Sequence, residues 1–331
     1  MAKEREFRSG FVTVLGRPNV GKSTLVNALV ERKVAIVTPH PQTTRTHLLG
    51  IVEVEASERH PAGQIVLVDS PGIHKARTPM NRQMLRHVRS ALEGRDLALL
   101  VADVTRPAGS EDAFALELLG QAGTAPNILV LNKIDRLKDK RALLPLIADY
   151  GRRFNFAEIV PVSALRGEQL SELVASILAH LPPGPRYFPV GTVTDQTEQF
   201  WIAEIIREKA MLATRQELPH ALAVAIEAFE LEPKPRIAAS ILCERAGQKA
   251  ILIGKGGAAI KGIGSQARPE IEELLGERLR GRNLFLDLRV EVRAGWRSNE
   301  ELLRKLDFRE RGEAIEPSPS GGETANRVHQ R

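Results

Sequence analysis

The residues with the clearest chemistry are Gly16-Arg17-Pro18-Asn19-Val20-Gly21-Lys22-Ser23, directly behind the apolar run Phe11-Val12-Thr13-Val14-Leu15. They match G-x-x-x-x-G-K-S/T, a glycine-rich turn whose successive backbone N–H groups point at a phosphate chain while the following helix offers its positive dipole end. In such a loop Lys22 reaches the outer phosphates and the Ser23 hydroxyl ligates Mg²⁺. The flanks suit it: a strand-like run precedes it, and Ser23 to Val30 follows with Leu25, Leu29 and Val30 at helical spacing.

A phosphate loop implies a nucleotide without choosing its base. Asn132-Lys133-Ile134-Asp135 chooses, because it follows Ile128-Leu129-Val130-Leu131 and so falls at the carboxyl end of a buried parallel strand, where open α/β sheets bind ligands. A carboxylate there accepts from two adjacent donors on a guanine edge, a pair that adenine lacks, so Asp135 argues for GTP over ATP. Ser163-Ala164-Leu165, behind Ile159-Val160-Pro161-Val162, is placed to back the guanine ring.

Asp69-Ser70-Pro71-Gly72 follows Ile65-Val66-Leu67-Val68. Asp69 is expected to hold the Mg²⁺ shell through water and the Gly72 N–H to bond the γ-phosphate, so that losing this phosphate releases the segment behind it. Upstream, Gln42-Thr43-Thr44-Arg45 lies in a loop with Pro39 and Pro41, and one threonine should complete the shell, Thr44 in preference to Thr43. Catalytic roles then fall to Lys22, Thr44 and Gly72. The next residue, Ile73, stands among the nucleotide contacts where Ras-type enzymes carry a water-positioning glutamine, so intrinsic hydrolysis is expected to be slow. Asn19 matches the asparagine that holds K⁺ in potassium-dependent relatives. His74 is read as a solvated loop histidine rather than a base, and none of the 8 histidines forms a metal-spaced cluster.

These loops need a frame. The 331 residues, 43% hydrophobic, predict about two domains. Cys243, the single cysteine, excludes an internal disulfide framework and reads as a buried strand thiol. The charged N-terminus lacks the apolar core of a signal peptide, and no apolar stretch approaches the roughly 20 residues of a membrane span. Up to about His180, short apolar strands alternate with amphipathic helices, the rhythm of an α/β, parallel, doubly wound sheet. Its last helix, Glu168 to His180, carries Leu170, Leu173, Val174, Ile177 and Leu178 on one face, and Leu181-Pro182-Pro183-Gly184-Pro185 stops it. The boundaries read as an N-terminal extension at 1–8, a nucleotide domain at 9–181, a stiff linker at 182–192, a second domain at 193–308 and a disordered tail at 309–331.

The second domain is read as α+β: a helix (about 195–212), strands (221–231 and 237–244), a glycine loop, a long helix (258–279) and a strand (284–293). The loop Gly254-Lys255-Gly256-Gly257 is a G-x-x-G whose backbone can come close to nucleic acid, as the KH module does in clamping about four nucleotides. Lys255 and Lys261 suit phosphate contact, and residues 236–311 hold 16 Lys/Arg against 11 Asp/Glu. With 4% aromatics, backbone clamping and base-edge bonds should dominate over stacking, leaving Trp201 and Trp296 to packing.

Together these motifs resemble the Era-like family of bacterial GTPases from about Phe7 to Phe308. The second domain adds Thr194-Asp195, Glu204 to Lys209, Glu217-Leu218-Pro219, Gly247-Gln248-Lys249 and Gly295-Trp296. The resemblance implies a Ras-like P-loop GTPase domain followed by a type II KH domain, with GTP, GDP and Mg²⁺ as ligands. It also implies binding near the 3′ end of small-subunit rRNA, 30S assembly and, in some members, peripheral contact with the inner membrane. Ser70 stands where the family usually has threonine, Ser298-Asn299 replaces an acidic pair, and the connection Glu232 to Arg236 is short. Two other readings stay open: a constitutive RNA-binding scaffold with GTP as a structural ligand, and a related tRNA-modification or double-GTPase ribosome factor. The single phosphate loop and the KH-like module count against the latter.

Overall fold

Runs such as Leu97–Asp103 and Asn127–Asn132 are buried at every position, the pattern of strands covered on both faces. In a computed structural model, which describes residues 6–40, 43–45, 47–73, 79–214 and 222–299, they form the centre of a six-stranded sheet. Its elements are β1 (Arg8–Leu15), α1 (Lys22–Val30), β2 (Leu48–Val54), β3 (Gly63–Asp69), α2 (Pro79–Glu93) and β4 (Leu97–Asp103). Then come α3 (Ser110–Gln121), β5 (Asn127–Asn132), α4 (Leu143–Arg153), β6 (Glu158–Val162) and α5 (Leu170–His180). The strand order is β2-β3-β1-β4-β5-β6, all pairs parallel except β2 against β3. Register matters for function: Val14 pairs with Asp69, Asp103 with Asn132, and Asn132 with Val162. The loops leaving these strands therefore share one edge.

β1 starts at Arg8, inside the segment read as an extension. Arg8 pairs with Gly63, and its guanidinium donates to the Leu178, Ala179 and Leu181 carbonyls that end α5. The linker is laid on the sheet: Ser9 Oγ donates to Pro185 O, and the Gln64 amide oxygen accepts from the Tyr187 and Phe188 N–H groups.

The second unit contains α6 (Glu198–Ala213), β7 (Ala223–Glu230), β8 (Arg236–Cys243), α7 (Ala246–Ile253), α8 (Ala258–Leu275) and β9 (Phe285–Val292). β8 lies between an antiparallel β7 and a parallel β9. α7 departs from the sequence reading, which placed only a glycine loop between the strand at 237–244 and the long helix. Gln248 Oε1 accepts from the Glu244 and Arg245 N–H groups and starts the helix, which buries Leu252 and leaves Ile251 exposed. The long helix ends at Leu275, and a 3-10 turn, Gly276–Leu279, completes the span expected to be helical. Gln42, His74, Glu217 to Pro219 and the tail lie outside the described residues. No helix among the described residues is long and apolar enough to cross a membrane.

One contiguous buried cluster includes Val12, Leu67 and Val130 of the first sheet, Ile202 and Ile206 of α6, and Ile241 and Ile271 of the second unit. Ile206 is 0% exposed. Ile206→Ala should therefore lower unfolding free energy by roughly 2–5 kcal/mol in urea denaturation; an unchanged midpoint would place α6 outside the core.

Candidate functional site

The loop between β1 and α1 curls so that Gly21 takes φ 98°, and a Cβ there would stand 2.4 Å from the Asn132 amide nitrogen. Only glycine fits. Asn132, 2% exposed at the end of β5, uses its side chain three times. It donates to Val20 O at 2.9 Å and accepts from Lys133 N at 2.8 Å and Ala164 N at 3.0 Å. The phosphate loop, the Asn132–Asp135 segment and the Ser163–Leu165 segment are thereby joined at one residue. Lys133 adds a second tie, its ammonium donating to Asn19 O at 2.6 Å and Asp103 Oδ2 at 2.7 Å. Burial would raise the Asp103 carboxyl, but hydrogen bonds from Lys133 and Thr105 carry it below its ordinary range. Ser163 Oγ donates to Asp135 Oδ1 at 2.7 Å, fixing one carboxylate oxygen beside the cavity.

These loops surround a cavity of about 600 Å³, lined by Pro18, Asn19, Gly21 to Thr24, Ile36 to Pro39, Thr43, Thr44, Gly72, Asn132, Lys133, Asp135, Arg136, Ala164 and Leu165. At its deep end Ser23 Oγ donates to Asp69 Oδ2 at 2.8 Å, while Thr44 Oγ1 lies 3.0 Å from Ser23 Oγ and 3.3 Å from Asp69 Oδ2. Thr43 faces elsewhere, its hydroxyl engaged by Thr38 and His40. Of the two threonines, Thr44 is the one beside Ser23. Asp69 Oδ1 is buried without a hydrogen-bond partner, so three hard oxygen groups converge with a lone pair to spare, a donor set that fits Mg²⁺.

Lys22 lies between the metal-type donors and the loop, donating to Gly16 O at 3.0 Å and Arg17 O at 3.2 Å. Burial pushes its ammonium down to about 8, against the pull of Asp69 and Glu111. Burial likewise raises the Asp69 carboxyl, with Lys22, Ser23 and Thr44 opposing. A buried cation with only carbonyl partners is poised to meet phosphate oxygens.

Several predicted nucleotide residues turn their side chains away. Arg17 pairs with Asp112 at 3.3 Å, and Ser70 Oγ donates to Val14 O at 2.6 Å. Ile73 corrects its placement among the nucleotide contacts: it is 1% exposed in the core beneath α2, and its N–H donates to Gly16 O. Ile36 to Pro39, Thr24, Arg136 and Asp103 belong to the site and were missed. Asp103 carried a signal, an acid at the end of an apolar strand in an open α/β sheet.

The segment carrying Thr44 is also held by the second unit. Arg207, 3% exposed on α6, donates to Thr43 O at 2.6 Å while Glu204 holds its fork, and Glu208 accepts from Val37 N at 3.1 Å. Arg45 donates to Leu222 O, and its guanidinium sits 5.6 Å from the Trp296 ring centroid. Burial, then the neighbouring Arg207, pushes that guanidinium down to about 9. Lys33 and Lys209 bridge Glu208 and Glu270.

The loop between α7 and α8 brings Gly254, Lys255, Gly256 and Gly257 to the surface in left-handed backbone at all three glycines. A Cβ on Gly254 would stand 2.8 Å from the Ala259 methyl. Lys255 and Lys261 are exposed and make no ion pair among the described residues. Trp201 and Trp296 are 5% and 2% exposed, so neither offers a stacking face.

Two family models match: "50S ribosome-binding GTPase" over residues 11–133 and "KH domain" over residues 217–297. GTPase Era of Xylella fastidiosa strain M12 is 46% identical over 93% of this chain and 100% of its own. GTPase Era of Syntrophus aciditrophicus is 42% identical over 92% and 96%. Among solved structures, Era in complex with MgGDPNP and nucleotides 1506–1542 of 16S ribosomal RNA matches at a TM-score of 0.85, with 36% identity over 91% of this chain and 98% of that one. An Aquifex aeolicus Era variant bound to GDP and AlF4⁻ matches at 0.84, with 36% identity over 90% and 98%. The matches run over nearly the whole of each relative, and the chain belongs to the Era family of GTPases.

Proposed function

We propose that this chain is a GTP-hydrolysing switch that binds small-subunit rRNA near its 3′ end and assists 30S assembly in the cytoplasm. Its domains are taken as 9–181 and 193–308. The observation that carries the switch is the placement of consecutive residues: Thr44 faces Ser23 and Asp69, while the Thr43 carbonyl is held by Arg207 of the KH-side helix. Ser23, Thr44 and Asp69, the last through water, would hold Mg²⁺, which neutralises charge on the outer phosphates. Lys22 stabilises the oxygens on which charge grows during transfer, and the Gly72 N–H bonds the γ-phosphate. Asp135, braced by Ser163, reads the guanine edge. Gly254 to Gly257, with Lys255 and Lys261, clamps single-stranded RNA. Peripheral contact with the inner membrane comes from the family resemblance alone.

Loss of the γ-phosphate frees Thr44 from the site, and the bonds from Arg207 and Glu208 to the same segment must then rearrange. RNA affinity at one fixed salt concentration should be higher with a GTP analogue than with GDP. Arg207→Gln should move that ratio toward one while GTP affinity stays within a few-fold. Equal RNA affinities in the two states of the unaltered protein would remove the gating.

Lys22 gives a pH test. With its free-site value about 8, the ammonium is already charged at pH 7 and largely neutral near pH 9. Phosphate oxygens favour the charged form, so binding raises this value and takes up a proton above pH 8. Nucleotide affinity should fall as pH rises from 8, and calorimetry in buffers of different ionisation enthalpy should show uptake approaching one proton near pH 9. Zero uptake there would leave Lys22 out of phosphate contact.

Ile73 has no group to orient water, so hydrolysis is slow and its activator comes from outside the side chains of the loop. Asn19 is taken to hold K⁺ in this role, its amide nitrogen donating to Pro39 O at 3.1 Å beside the phosphate loop. Turnover should be faster in K⁺ than in Na⁺ at equal ionic strength, with Asn19→Ala abolishing the difference; no cation dependence in the unaltered protein would reject the site.

A further inference from the structure

Lys133 is held at both ends. Its backbone takes φ 72°, a left-handed conformation that a residue with a side chain seldom adopts without support from its surroundings. At one end its N–H donates to Asn132 Oδ1, and at the other its ammonium donates to Asn19 O and Asp103 Oδ2. The four-carbon stem between them runs from the base-reading segment to the phosphate loop, and the residue lines the cavity beside Asp135. Leu165, 79% exposed, lines it as well. A planar base therefore meets an apolar wall whose course depends on where the Lys133 ammonium is fixed.

Asp103 does the fixing. It ends β4, 7% exposed, and does not itself line the cavity. Both of its carboxylate oxygens are engaged: Oδ1 accepts from Thr105 N at 2.9 Å and from Thr105 Oγ1 at 2.6 Å, and Oδ2 accepts from Lys133 at 2.7 Å. Burial pushes the carboxyl up, but these hydrogen bonds outweigh it and keep the group ionised. The backbone is equally settled, since Asp103 pairs with Asn132 across β4 and β5 and the Val104 N–H donates to Asn132 O at 3.1 Å. A charged acceptor on a strand end binds an ammonium more strongly than a neutral carbonyl in a loop does. Asp103, rather than Asn19, therefore decides where the ammonium rests.

We infer that Asp103 is a positioning residue for the guanine nucleotide: by anchoring the Lys133 ammonium it fixes the wall against which the base lies, and so sets how long a nucleotide stays bound. This rests on the placement of the base at Asn132 to Asp135 given above. Because Asp103 acts through Lys133, it governs lifetime without changing which base is read, the guanine edge belonging to Asp135. It also leaves hydrolysis alone. The side chains of Lys22 and Thr44 have their own partners, Gly16, Arg17, Ser23 and Asp69, and none of these bonds leads to Asp103 or Lys133 among the described residues.

The experiment follows release of fluorescently labelled GDP, chased with excess GDP in Mg²⁺ buffer, from the full chain and its D103N, K133M and D103N/K133M variants. D103N keeps the side-chain shape and an acceptor for Thr105, but turns a neutral amide toward Lys133. It should speed release at least about tenfold, the loss of one charge-assisted bond. The single-turnover hydrolysis rate should stay within about twofold, and the ratio of affinities for GDP and for inosine diphosphate, which lacks the guanine amine, should not move. A merely structural loss would shift all three together and lower the melting temperature, and that result would overturn the proposal. K133M keeps an apolar stem without the ammonium, so it should speed release by itself, and adding D103N to it should change the rate by less than about twofold. A further large acceleration in the double variant would mean that Asp103 acts by a route other than Lys133, and would also overturn it. Unaltered release from D103N beside faster release from K133M would remove the role of Asp103 alone. Unaltered release from K133M would remove the placement of the base against Lys133, and the role of Asp103 with it.

Discussion

The nucleotide site depends on the Asn132 side chain. A primary amide buried at a strand end must satisfy its donors and acceptor locally, because an unpartnered buried polar group costs about 1–3 kcal/mol. Asn132 does so with Val20 O, Lys133 N and Ala164 N, partners from three separate loops. Holding the amide in place therefore holds the loops in place. Gly21 is pressed so closely on it that a methyl group would displace the amide, which gives that glycine a duty beyond phosphate access. The phosphate loop and the Asn132–Asp135 segment are consequently one hydrogen-bonded construction.

The Thr43–Thr44 segment is held differently. Thr43 and Thr44 are consecutive, yet their attachments belong to different units: a carbonyl held by Arg207 and a hydroxyl facing Ser23 and Asp69. Arg207 is itself locked by Glu204 in a largely buried pair. Such a pair contributes little net stability once desolvation is counted, and its value lies in fixing one arrangement. A coupling of about 1–3 kcal/mol between sites corresponds to 5- to 150-fold in affinity. A few charge-assisted bonds of the kind Arg207 and Glu208 make are enough to supply it.

Legibility in the sequence followed the physics of each part. Expectations could be formed at the phosphate loop, Asp69, Gly72 and Asp135 because the roles proposed for them depend on backbone geometry or a single carboxylate at fixed spacing from a strand end. The choice between Thr43 and Thr44 was only a preference, since loop direction leaves no periodic trace. Helix α7 was hidden by Ile251-Leu252-Ile253, which looks strand-like although Leu252 alone is buried. Ile73 was misplaced among the nucleotide contacts, because nothing in the local pattern shows that its side chain points into the core. Arg207 is invisible as a partner of the nucleotide loops because Thr43 is distant in sequence, whereas Asp103 carried a local signal at its strand end but not its pairing with Lys133.

Ile73 also shows how the slow hydrolysis proposed above would suit this architecture. A side chain at that position can swing toward an attacking water or anchor the loop in the core, and one residue cannot do both. Here it anchors: buried against the core beneath α2, with its N–H on Gly16 O, it ties the Gly72 turn to the phosphate loop. On the proposed reading, this attachment positions the Gly72 N–H for the γ-phosphate and leaves no side chain there to time hydrolysis from within. The clock must then be supplied by whatever completes the site, a cation or a bound partner. On that reading hydrolysis would respond to the state of the assembly rather than to the nucleotide alone.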